Sequence, residues 1–193
     1  MISLMSNQYR IDPSRVYATG MSNVGFFTDR LACELSAKIA AAAVVAATMS
    51  PQISNSCNPQ RPVPFLIIKG DQDPLVPVNG GNVTGPLGGN SGYVLSLNDT
   101  AKRWAQIDGC ATTPTVTYLP DVANDGTQIV REQYGTCTQG TEVIVYLVQG
   151  GGHAWPRGLS YLPESVIGKT SRNMGASQVI WAFFASHSIQ QSG

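Results

Sequence analysis

Short apolar runs separated by polar and glycine-rich stretches organise this chain, and their period alternates between strand and helix. Residues 15–19 read as a short strand. Residues 24–36 read as a helix whose apolar stripe is Phe26, Phe27, Leu31 and Leu35. Residues 39–49 are almost wholly Ala and Val, which suits a strand buried on both faces, as in a parallel sheet. The stretch 51–64 reads as loop and leads into a second buried strand that ends at Gly70. Gly and Asn crowd residues 78–92, predicting a mobile surface loop. A helix follows over 97–107, with Asn98 or Asp99 near its start and Gly109 as its cap. Residues 115–119 and 128–134 are antiparallel partners across the Asp125-Gly126 turn. Residues 142–148 are β-prone and run into the glycines before His153. A closing helix over about 176–187 is expected to bury Ile180, Trp181, Phe183 and Phe184. This alternation predicts an α/β fold: one domain with a mostly parallel sheet flanked by helices, and an antiparallel extension near 115–148.

Composition narrows the function more than the fold. Twelve basic and twelve acidic residues cancel, and no Lys/Arg cluster stands out. Nothing therefore points to nucleic acid or to a polybasic membrane contact. No apolar run reaches the roughly 18 residues of a spanning helix, and Met1 to Met5 carry no basic region or cleavage site of a signal peptide. The four cysteines allow three pairings. The sequence-local one joins Cys33 to Cys57 and Cys110 to Cys137, and the alternative is four unpaired thiols. Bridges would place the chain in an oxidising compartment, secreted or periplasmic. Without C-x-x-C spacing, and with two histidines in all, a metal site is not expected, nor is a cofactor.

Candidate chemistry sits where three apolar runs end. Thr19-Gly20-Met21-Ser22-Asn23-Val24-Gly25 carries a strand into a helix through one serine, the pattern of a nucleophile elbow. Gly70-Asp71-Gln72-Asp73-Pro74 and Gly150-Gly151-Gly152-His153-Ala154-Trp155 follow later strands, in the Ser…Asp…His order of such folds. A serine hydroxyl needs a base, and the base needs an orienting group. His153 is the base candidate, because His187 lies in the last turn of the closing helix, where it caps carbonyls or faces water. Asp73, fixed by Pro74, is preferred over Asp71 as its partner. The Asn23 N–H is the oxyanion donor, and Met21 and Trp155 are candidate substrate contacts.

The stretch from Tyr9 to Asn23, Gly70 to Pro77 and Gly151 to Pro156 resembles the polyhydroxybutyrate-depolymerase-like and feruloyl esterases of carbohydrate esterase family 1. The resemblance also covers Leu31 to Ser36, Trp104 to Cys110 and Ile180 to Phe184, and so nearly the whole chain. It implies an α/β-hydrolase fold, the triad Ser22, Asp73 and His153, the two sequence-local disulfides, and carboxylic-ester substrates. Two departures from the pattern carry expectations. Val24 stands where the group has glycine, and a β-branched residue there should crowd the elbow or point into open space. The usual N-terminal strands and second oxyanion loop have no counterpart before Ser22, giving a truncated α/β-hydrolase with an apolar sheet edge. A homo-oligomer covering that edge, with a neighbour completing the site, is expected. The alternative function is a catalytically impaired remnant serving as a binding or assembly module.

Overall fold

The computed structural model describes residues 2–189. Its elements run α1 (Ile2–Gln8), β1 (Tyr17–Met21), α2 (Asn23–Glu34), β2 (Ala41–Val45), α3 (Pro51–Ser56) and β3 (Phe65–Gly70). There follow β4 (Gly81–Thr84), β5 (Asn90–Val94), α4 (Leu97–Ile107), β6 (Thr115–Tyr118), β7 (Gln128–Tyr134), β8 (Val143–Gln149), α5 (Glu164–Ile167) and α6 (Ala176–Ala185). Six strands form one sheet in the order β1-β2-β3-β8-β7-β6. The first four are mutually parallel, and β7 and β6 add the antiparallel extension. Every residue of β2 and β3 is buried, which is why residues 41–45 and 65–68 read as unbroken apolar runs rather than alternating ones.

Two apolar layers hold helices against this sheet. On one face Ala32 of α2 and Ala101 and Trp104 of α4 pack on Val44, Phe65, Ile67 and Val145, with the Trp104 ring stacked 4.1 Å from Phe65. On the other face Ile180, Phe183 and Phe184 of α6 cover Ala43, Val45, Leu66 and Ile68. Both disulfides take the sequence-local pairing, Cys33–Cys57 and Cys110–Cys137. Replacing Cys110 and Cys137 together by serine is expected to lower stability by about 3.5 kcal/mol, the chain-entropy value for a loop of this length. Urea unfolding checks it.

Several local expectations need correction. The 51–64 stretch contains α3, capped by Ser50, whose hydroxyl accepts the Ile53 N–H, with Pro51 as its first residue. The stretch 78–92 holds most of a hairpin, β4 and β5, which buries Val83 and Val94 against Val76. Phe27 and Trp181, expected in the core, are 56% and 66% exposed. On α2 the inward face is instead Gly25, Thr28, Asp29, Ala32 and Cys33. The Cys33 bridge fixes this rotation together with a buried hydrogen bond, in which Trp104 Nε1 donates to Asp29 Oδ1 at 3.0 Å.

Candidate active site

Because β1, β3 and β8 run parallel, the segments that follow them emerge at one edge of the sheet. Ser22 follows β1, Asp73 the β3 loop and His153 the β8 loop, all on this rim.

Ser22 joins β1 to α2 with no intervening loop, at φ 55° and ψ −122°. Such a conformation is strained for a residue with a Cβ and recurs at functional turns. It is held by the Ser22 N–H donating to Val45 O at 2.9 Å and by Ser22 O accepting from Phe26 N at 3.0 Å. Two glycines let strand and helix close on it. A methyl at Gly25 would lie 2.6 Å from Ala47 Cβ, and one at Gly20 would lie 2.5 Å from Val24 Cγ1. Val24 lies over Gly20 and is 56% exposed, so its branched side chain leaves the turn in the elbow conformation and points into open space. Asn23 opens α2, where the first N–H groups of a helix have no intrahelical acceptor.

The Asp73 and His153 loops are stitched to each other. Asp71 Oδ1 accepts the Gly150 N–H at 2.7 Å, Asp71 N donates to Val148 O at 3.1 Å, and Gln72 N donates to Gly151 O at 2.9 Å. Close backbone approach explains the glycine run, since a methyl at Gly70 would collide with the Gly151 carbonyl and one at Gly152 with the Ile167 carbonyl. His153 is thereby set with Nδ1 2.9 Å from Asp73 Oδ2, both side chains being almost wholly buried. Asp73 Oδ1 accepts the N–H groups of Leu75 and Val76, each at 2.9 Å. Burial pushes the Asp73 carboxyl up, but His153 and Lys69 outweigh it and hold the group below the usual carboxylate range.

The structure thus brings Asp73 and His153 together, while Asp71 serves as a loop staple. Among the described residues no hydrogen bond joins Ser22 to His153. Trp155 is half-buried, its Nε1 donating to Ser177 Oγ at 3.1 Å, and Met21 packs on the same apolar cluster. His187 caps α6, with Nδ1 2.7 Å from Phe183 O. Sequence reading missed Lys69, which is wholly buried, with Nζ 2.5 Å from Asp73 Oδ2. Its signal was available as a charged residue closing an otherwise apolar strand, just before the glycine and aspartates of the loop.

Three known proteins are similar to this chain. "Feruloyl esterase B" of Piromyces equi is 34% identical over 146 residues, 75% of this chain and 26% of that protein. "Putative esterase NocK" of Nocardia uniformis subsp. tsuyamanensis is 30% identical over 182 residues, 92% of this chain and 53% of that protein. "Bifunctional acetylxylan esterase/xylanase XynS20E" of Neocallimastix patriciarum is 28% identical over 154 residues, 80% of this chain and 20% of that protein. The chain therefore spans about half, or less, of the length of these relatives. No protein-family model matches it.

Proposed function

We propose that this chain, which belongs to a feruloyl esterase-like group of carbohydrate esterases, is a serine carboxylic-ester hydrolase built as one α/β-hydrolase-like domain. The observation that carries this reading is the buried Asp73–His153 pair on the sheet edge that also presents Ser22 in a strained turn. Asp73 accepts the His153 Nδ1–H, which leaves Nε2 free as a base. Ser22 Oγ attacks the ester carbonyl carbon as Nε2 takes its proton, and the Asn23 N–H stabilises the oxyanion. Collapse breaks the carbonyl–alkoxy bond, and the proton passes from Nε2 to the leaving alcohol. Water, deprotonated by the same nitrogen, then attacks the acyl-enzyme and releases the acid with Ser22 restored. In free enzymes the bond between nucleophile and base is often long, tightening in the substrate complex.

The substrate class is short acyl, feruloyl or acetyl esters, including those on plant polysaccharide, with hydroxyalkanoate esters as the further candidate. Met21 and Trp155 border the acyl or alcohol site. The two disulfides are compatible with an extracellular location and support export. Among the described residues β1 pairs on one side, with β2, and a second copy along that edge is the proposed protein partner. A compact monomer in sedimentation at micromolar concentration would refute that assembly.

A second reading, an impaired remnant acting as a binding module, is favoured by the lack of a Ser22–His153 hydrogen bond among the described residues. Fluorophosphonate labelling separates the two. The esterase reading expects one label per chain in the wild type and none in Ser22→Ala, with turnover across a p-nitrophenyl ester series. A folded wild type that takes up no label leaves the remnant.

A further inference from the structure

β3 is buried from end to end, yet its penultimate residue is a lysine whose side chain has no exposed surface. An ammonium persists in such a place only where it is paired and hydrogen-bonded. Lys69 Nζ donates to Asp73 Oδ2 at 2.5 Å, to Val76 O at 2.6 Å and to Gly70 O at 3.4 Å. Asp73 Oδ2 is the same oxygen that faces His153 Nδ1 at 2.9 Å, while Oδ1 is filled by the Leu75 and Val76 amides. One carboxylate therefore meets four donors, two at each oxygen.

We propose that Lys69 is a positioning residue of the candidate triad, holding Asp73 as a carboxylate and opposing a second positive charge on His153; its role in catalysis rests on the esterase reading above. An unshared carboxylate would stabilise the protonated imidazole strongly. The Lys69 Nζ and the His153 Nδ1 meet at one oxygen, so replacing the lysine by a neutral residue removes a positive charge that faces the imidazole. Two other titratable side chains flank the pair. Asp71, on the same loop, is bound to the Gly150 amide, and Tyr161, from the loop after β8, donates to His153 O at 3.2 Å. Burial holds the Lys69 pKa below its ordinary value, against the opposing pull of Asp73 and Asp71.

The test is an NMR titration of the His153 ring in the wild type, Lys69→Gln and Lys69→Met. The chain has two histidines, so His187→Gln identifies the resonance. Glutamine keeps a donor toward Asp73 without charge, and methionine removes both. The His153 midpoint is expected to rise by about one pH unit or more in either variant. The acid limb of kcat/KM for p-nitrophenyl acetate should move with it. A midpoint equal to that of the wild type overturns the proposal. Should neither variant fold, the Lys69 Cε and Nζ shifts in the wild type decide. The ammonium must persist while His153 titrates, and a neutral lysine there overturns the proposal. A shifted midpoint in a protein without esterase turnover sinks the esterase reading and leaves the Lys69 coupling standing.

Discussion

Asp73→Asn is expected to lower kcat toward p-nitrophenyl acetate by about 10³–10⁴, with KM nearly unchanged. The reason lies in how the carboxylate is held. Oδ1 accepts two backbone N–H groups, from Leu75 and Val76 at 2.9 Å each, so the amide oxygen of an asparagine must occupy that side. Its NH₂ then replaces Oδ2, opposite Lys69 Nζ and His153 Nδ1, where the wild type has an acceptor. His153 can satisfy this donor only by accepting at Nδ1, which puts its proton on Nε2, the atom that takes the serine proton in the proposed mechanism. The loss therefore falls on chemistry rather than on binding. Asp71→Asn is the matched control, because Asp71 Oδ1 only pins the Gly150 amide, and its effect should be far smaller. A folded Asp73→Asn protein with kcat within tenfold of the wild type would show that this carboxylate orients no catalytic base. Near-UV circular dichroism establishes that it is folded.

The elements that carry this argument were legible because their sequence signals are local. Residues 41–45 and 65–68 announce doubly buried strands through unbroken apolar composition, and the disulfides follow from nearest-cysteine pairing. Glycine punctuation marks both turns of the candidate site. What escaped depended on contacts distant in sequence. The stripe assigned to α2 included Phe27, but Trp104, 75 residues away, binds Asp29 and rotates the helix so that Phe27 faces out. Trp181 points out because Ile180, Phe183 and Phe184 already cover the sheet. The 78–92 stretch reads as open loop because Val83 is its one buried apolar side chain, within a run of Gly and Asn. Lys69 was passed over for the opposite reason. A lysine closing a strand ordinarily reaches solvent, and only the return of the chain at Asp73 gives it a buried counter-ion.

Stability should fall as pH rises from 5 to 8, by about 5 kcal/mol in total, and Asp29→Asn with Asp108→Asn should abolish most of that slope. Burial pushes Asp29 up to about 7, against the opposing hydrogen bond from Trp104. Burial likewise raises Asp108 to about 7, against the Val63 N–H and the nearby Arg61. In each, Oδ2 is buried without a hydrogen-bond partner, so ionisation leaves a charge that water no longer solvates. The unfolded chain releases these protons near 3.8. The native state holds them longer, so each acid's contribution is complete below that value and is lost as pH rises through about 7. Between pH 5 and 8 each accounts for roughly 2–3 kcal/mol. Asp12, Asp73 and Asp125 are shifted downward, so their contributions fade below pH 4, outside this window. Urea unfolding at half-unit pH intervals reads the slope directly. A wild-type curve that is flat or rising from pH 5 to 8 would mean that neither acid is protonated in the native core.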